Sequence, residues 1–232
     1  LLKNLIKNSP SKIRNLNIKG LANNSKNVKK GFIFFAIKGN KENGEDYIHE
    51  AIKKGAILII CSKNFESKNI QVNLIKTKNV NNILADVASK FYYLKPKNII
   101  AVTGTNGKTS VADFFYQILE KNNFSVASIG TLGIKTKKRI IKTNITSPDI
   151  ITLHKNLEIL KKNKIENVII EASSHGLDQN RLDNLNLKAG VFTNFSQDHL
   201  DYHKTLKSYL DAKMLLFKKI LKIKSTIISD RE

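Results

Sequence analysis

The stretch "VTGTNGKTS", residues 102–110, decides the fold. It closes an apolar run, "IIAVTG", that reads as a buried strand. It opens "TSVADFFYQILEKNN", where Val111, Phe114, Phe115, Ile118 and Leu119 recur at helical spacing. A glycine turn between strand and helix leaves the first N–H groups of the helix free, and such groups bind anions. Lys108 is placed to reach terminal phosphates and the Thr109 hydroxyl to meet Mg²⁺. The full phosphate-loop pattern asks for a glycine five residues before Gly107, and Val102 stands there. Gly104 and Gly107 still bound a tight loop, and the Lys-Thr pair directly after Gly107 weighs against a plain turn. The expected cradle is Gly104, Thr105, Asn106, Gly107, Lys108, Thr109 and Ser110.

Outward from this loop, strand and helix patterns alternate. Upstream, "GFIFFAIKG" and "AILIIC" read as strands around the helix "EDYIHEAIKKG", and "VNNILADVASKFYYL" reads as a second helix. Pro96 breaks the chain. Downstream come the strand "FSVASIG", a polar hairpin "LGIKTKKRIIKTN", the helix "PDIITLHKNLEILKKN", the strands "NVIIEAS" and "KAGVFTN", the helix "TLKSYLDAKMLLFKKIL" and the strand "STIIS". Short apolar strands between helices predict an α/β fold with mainly parallel sheets covered on both faces. Two domains are expected, residues 1–94 and 95–232. The chain starts at Leu1 without a methionine, and its last strand leads to no further element, so a piece of a longer chain is expected.

Two loops after strands carry further polar groups. In "EASSHGLDQNRL", Glu171 ends a strand and suits a Mg²⁺ ion at the carboxyl edge of the sheet. Ser173, Gln179 and Arg181 offer donors to an anionic substrate. Ser173, Ser174 and His175 form no hydrolase elbow, because neighbours in one loop rarely give nucleophile and base geometry. In "FTNFSQDHLDYHKT", His199 and His203 stand four apart, a spacing open to zinc. The glutamate of a zinc-protease helix is missing, so His199 as a Mg²⁺ or Mn²⁺ ligand is the better reading; Asp198 as a helix cap and a packed histidine is the bland one. In the last helix, Leu206, Tyr209, Leu210, Met214 and Phe217 mark an apolar face with Lys213 in its middle. Such a lysine snorkels to water, or it serves a site.

Composition sets limits. Forty Lys+Arg against 19 Asp+Glu give a net charge of +21. The lysines are spread along the chain and no nucleic-acid signature accompanies them, so nucleic acid is not expected as a partner. Apolar residues at 41% permit a real core, yet no run is long enough to span a bilayer. The single cysteine, Cys61, excludes an internal disulfide and fits a reducing, cytoplasmic location.

Together, "TGTNGKTS", "TSPD", "SSHGLDQNR", "FTNFSQDHLDYH" and "YLDAKMLLF" resemble the Mur ligase family, from about residue 20 onward. Within it they are most similar to the branch that adds the third residue of the peptidoglycan stem peptide. The resemblance implies ATP on Gly104 to Ser110, and Mg²⁺ on Thr109, Glu171 and His199. It implies a UDP-N-acetylmuramoyl dipeptide on Thr146, Ser147, Ser173, Gln179 and Arg181, with its uridine end near Asn23, Ser25, Asn40, Lys41 and Glu42. The family's usual Asp-Ser-Arg is Asn24-Ser25-Lys26 here. Lys213 matches the lysine that the family carbamylates. The implied chemistry is an acyl phosphate that the amine of a diamino acid then opens, in a monomeric enzyme with no membrane insertion. A further domain, which selects that amino acid, is implied beyond this chain, and the chain alone is expected to be inactive as a ligase. The rivals are a sister ligase such as MurF or folylpolyglutamate synthase, a non-catalytic nucleotide-binding module, and a nucleic-acid binder.

Overall fold

A computed structural model describes residues 1–39, 42–66, 70–141, 146–222 and 224–229. The chain divides into two compact units, Leu1–Phe91 and Tyr92–Glu232. The first holds α1 (Leu2–Leu5), β1 (Gly20–Ala22), β2 (Phe32–Phe35), α2 (Ile48–Lys53), β3 (Ala56–Ser62), β4 (Asn73–Thr77) and α3 (Val80–Phe91). Its four strands lie in sequence order and pair in parallel. Apolar β3 lies inside this sheet, between β2 and β4, with Leu58, Ile59, Ile60 and Cys61 wholly enclosed. The edge strands β1 and β4 had no counterpart in the sequence reading. β1 has three residues, and β4 is half-exposed without a clean alternation, so neither gives a periodic signal.

The second unit holds β5 (Asn98–Thr103), α4 (Lys108–Lys121), β6 (Val126–Gly130), β7 (Gly133–Thr136), β8 (Arg139–Ile141), α5 (Ile150–Lys162), β9 (Asn167–Glu171), α6 (Ser174–Asp178), β10 (Ala189–Phe192), α7 (Leu200–His203), α8 (Leu206–Leu215) and β11 (Thr226–Ser229). Seven strands form one sheet in the order β11-β10-β5-β9-β6-β7-β8. From β11 to β6 every pairing is parallel, and the β7–β8 hairpin continues the sheet in antiparallel fashion. Alternate residues of β5 serve opposite faces, as the two-residue period of a strand requires. Val102 packs with Ala112 of α4, while Ile99 and Ala101 join Leu153 and Leu157 of α5 and Leu216 beneath the sheet. The mainly parallel α/β fold read from the sequence is the one observed.

The chain lays β6 and β9 on one side of β5, and β10 and β11 on the other. Such a reversal opens a crevice at the carboxyl ends of the strands, where α/β sheets bind ligands. Thr103, Gly130, Glu171 and Phe192 are the last residues of the four strands that meet there. Among the described residues, no helix is long and apolar enough to cross a membrane.

Candidate functional site

A cavity of about 290 Å³ lies at that crevice, lined by the loop Thr105–Ser110 together with Thr131, Thr146, Ser173, Ser174, His199 and Lys213. Two glycines shape the loop. Gly107 takes a left-handed backbone (φ +81°) at the cap of α4, and Gly104 sits at φ +148°, where a Cβ would land on Thr193 Oγ1. No side chain caps α4, so its first N–H groups are open to an anion. Lys108 is turned onto its own loop. It is half-buried, and its ammonium donates to the carbonyls of Gly104 (2.8 Å) and Thr105 (2.7 Å) of its own loop. Burial lowers its pKa, and the carboxylates of Glu171 and Asp198 oppose that shift.

Glu171 ends β9 as expected, but it stands behind the cavity wall at 3% exposure. Its carboxylate accepts from Thr109 Oγ1 (2.9 Å), Thr131 Oγ1 (3.0 Å) and Thr131 N (3.1 Å). Thr131 escaped the sequence reading. Its one signal was its place directly after the β6 strand, at the edge where Glu171 was sought. A buried carboxylate whose donors among the described residues are all neutral, with the Thr109 hydroxyl beside it, is a donor set that suits a hard divalent cation. His199 also lines the cavity, exposed, with φ +52° and its backbone N–H on Asp198 Oδ1 (2.7 Å). His199 itself caps α7, rather than Asp198. His203 is buried and hydrogen-bonded to Ser174 Oγ (3.0 Å), so the zinc spacing does not become a zinc site. Among the described residues, no group of three His, Cys, Asp or Glu side chains could hold a metal.

Lys213 is buried to 1% exposure. The inward face of α8 agrees with the expected one at Tyr209 and Lys213, which are buried together with Ala212 and with Leu216 and Ile220 in the π-helical turn that follows, and differs at Leu206, which is 43% exposed, and at Met214, which is half-buried. Lys213 Nζ donates to Gly104 O at 2.6 Å and lies 4.3 Å from the centre of the Tyr209 ring. Two lysines therefore share one loop carbonyl. Burial, and then repulsion from Lys108, push the Lys213 pKa down to about 7, against the pull of Asp198. The Tyr209 ring also packs edge-on against His199, at 5.8 Å.

The remaining expected contacts are arranged as follows. Thr146 Oγ1 is 3.1 Å from Thr131 Oγ1 at the cavity. Ser147 is wholly buried; its hydroxyl donates to the Glu171 carbonyl (3.0 Å) and accepts from Ser173 N (3.1 Å). Ser173 caps α6 by accepting from Gly176 N (3.0 Å). Gln179 and Arg181 are absent from the cavity wall: the guanidinium donates to Gln179 Oε1 (2.6 Å, Nη2) and Ser147 O (2.5 Å, Nη1). In the first unit, Ser25 is buried and donates to Glu50 Oε2 (2.6 Å), while Asn24 Oδ1 accepts from Lys26 N (2.9 Å). Asn23 is half-buried and Glu42 exposed, and Asn40 and Lys41 lie outside the described residues.

Comparison with known proteins shows which family the chain resembles. A diaminopimelate ligase of Brucella melitensis, named for UDP-N-acetylmuramoyl-L-alanyl-D-glutamate and 2,6-diaminopimelate, is 41% identical over 92% of this chain and 44% of its own length. The ligase of the same name from Rickettsia conorii is 45% identical over 87% of this chain and 42% of its own. This chain thus spans less than half the length of these relatives. A solved structure of a ligase of that name superposes with a TM-score of 0.75 at 27% identity, over 91% of this chain and 48% of that one. MurF ligase from Thermotoga maritima, solved in complex with ADP, superposes at 0.61 with 26% identity, over 93% and 46%. The profile described as "Mur ligase family, catalytic domain" matches residues 17–92, and that described as "Mur ligase middle domain" matches residues 102–232. The second match covers more than half of the chain, which therefore belongs to the Mur ligase family.

Proposed function

We propose that this chain serves an ATP- and Mg²⁺-dependent amide ligase of the cytoplasm, joining 2,6-diaminopimelate to UDP-N-acetylmuramoyl-L-alanyl-D-glutamate in peptidoglycan synthesis. The observation that carries this reading is the cavity that brings the Gly107–Ser110 helix start together with Lys108, Thr109, His199 and Lys213. The names of relatives at 41% and 45% identity support the substrates. The sister-ligase reading rests on the weaker 26% likeness to MurF. The ADP held by that MurF supports a nucleotide in the cavity.

In this reading an oxygen of the D-glutamyl side-chain carboxylate attacks the γ-phosphorus of ATP. The bond to the bridging oxygen breaks, and ADP leaves. The amine of diaminopimelate then attacks the acyl carbon, phosphate departs with the bonding pair, and the nitrogen loses a proton. The α4 amides and Lys108 hold the phosphates and offset charge as it develops. Lys108 must release the Gly104 and Thr105 carbonyls to do so. Thr109, Glu171 and His199 would hold Mg²⁺, which supplies charge neutralisation at the phosphate oxygens. Thr146, Ser173, Gln179 and Arg181 bind the muramoyl dipeptide, with Ser147 fixing the loop that carries them. Asn23, Ser25, Asn40, Lys41 and Glu42 serve its uridine end. The Lys213 amine, neutral in part near pH 7, takes up carbon dioxide, releases a proton and becomes a carbamate anion. Its remaining N–H can still donate to Gly104 O, while its oxygens supply negative charge at the cavity.

Calorimetric titration of the chain with MgATP tests this reading. Saturable one-site binding is expected, weakened at least about tenfold by Lys108→Ala with the melting temperature preserved. A folded Lys108→Ala chain that binds MgATP as the wild type does would refute the assignment.

A further inference from the structure

The phosphate loop is held from outside by the segment that leaves β10. Thr105 N donates to the Asn194 carbonyl at 2.9 Å, and Asn106 N to Asn194 Oδ1 at 2.9 Å. Asn194 Nδ2 returns a hydrogen bond to the Asn106 carbonyl at 3.3 Å, and Thr193 Oγ1 donates to the same carbonyl at 2.6 Å. Thr105 Oγ1 donates to Ser196 O (3.1 Å) and accepts from Ser196 N (3.0 Å) and from Tyr209 OH (3.3 Å). That hydroxyl is then saturated, with one donor and two acceptor positions used. Gly104 lets the two segments approach this closely, since any Cβ there would meet Thr193 Oγ1.

A side-chain amide can give and take hydrogen bonds at one planar end, as a peptide group does. Asn194 uses both functions on a single loop residue, Asn106. The consequence is a division of the loop. The N–H groups of Thr105 and Asn106 are spent on Asn194, while the first N–H groups of α4 stay open. We propose that Asn194 is a positioning residue for the phosphate loop. It fixes the first half of the loop before the nucleotide arrives, so that only the amides from Gly107 onward face the phosphates. The inference rests on the nucleotide reading above. It deepens that reading, because the same segment runs on through Asp198 to His199 and thereby sets the loop in register with the candidate metal site.

Asn194→Ala and the isosteric Asn194→Asp test this. Three readouts are needed: melting temperature, amide hydrogen exchange without nucleotide, and MgATP affinity. In Asn194→Ala, exchange should speed up at Asn106 but not at Thr105, whose partner is the backbone carbonyl of residue 194. MgATP affinity should fall about tenfold, the scale of one hydrogen bond together with a loop left to order on binding. Asn194→Asp keeps the acceptor, so Asn106 should stay protected. It loses the donor and sets a charge near the phosphates, so affinity should fall at least as far. A wild-type chain that binds MgATP while both folded variants bind within about twofold of it would overturn the proposal alone. Unchanged exchange at Asn106 in Asn194→Ala would also overturn it. A wild-type chain that fails to bind MgATP would overturn the nucleotide reading and this proposal together.

Discussion

At 1% exposure the Lys213 ammonium has lost its hydration, and Lys108, bound to the same Gly104 carbonyl, adds repulsion. The folded pKa, about 7 against an ordinary 10.5, means that the unfolded chain binds this proton more tightly. Protons therefore favour unfolding. The contribution of Lys213 to stability is lowest below pH 7 and rises as the pH climbs toward 10.5. Lys213→Met removes the buried charge at similar volume. It should raise the melting temperature at pH 7 by roughly 5 °C. It should also abolish the carbamate signal that ¹³C-bicarbonate gives by NMR with the wild type. A variant that melts below the wild type would mean that the contacts to Gly104 and Tyr209 outweigh the desolvation. The same residue shows how much of the site the sequence carried. A lysine inside an apolar helical pattern was legible. Its sharing of a loop carbonyl with Lys108 was not, because that contact joins residues 109 positions apart.

Among the elements, β5, α4 and the glycine loop were readable because their signals are local: an apolar run, a periodic face, and a turn. α8 was read with a face only partly right: Tyr209 is buried as expected and Lys213 with it, whereas Leu206 is exposed and Leu210, Met214 and Phe217 are half-buried, because the buried stripe runs on through Ala212 to Leu216 and Ile220. The short α6 was hidden in a polar loop, since five residues give no period. α5 carries a consequence for acid stability. It buries His154 completely, with Nε2 donating to the Asp183 carbonyl (3.2 Å) and Nδ1 without a partner among the described residues. Burial, and then Lys95, push its pKa down from 6.5 to about 4. Unfolding lets the ring take a proton, so stability should be full above pH 6.5 and fall toward pH 4, by on the order of 3 kcal/mol. Denaturant unfolding at stepped pH should show this acid limb, and His154→Gln, which keeps a donor for Asp183, should flatten it. An unchanged limb in His154→Gln would assign the loss to other groups.

For the molecule as a whole, the α/β class followed from the alternation of strands and helices, while strand order did not. That β10 and β11 lie on one side of β5, and β9 between β5 and β6, depends on packing across the sheet, and this order creates the crevice. Lys108 lines the cavity beside uncapped helix amides, an arrangement that draws a polyanion such as a triphosphate. The central claim is that this cavity holds the phosphates of ATP with a divalent cation between Thr109 and Glu171. A crystal structure of the chain with Mg²⁺ and a non-hydrolysable ATP analogue tests it most directly. The account predicts phosphates on the amides of Gly107 to Ser110, Lys108 turned away from the Gly104 and Thr105 carbonyls toward them, and a cation on Thr109 Oγ1 and Glu171. A nucleotide bound elsewhere, with Lys108 still on its own loop carbonyls and Glu171 still bonded only to Thr109 and Thr131, would contradict it.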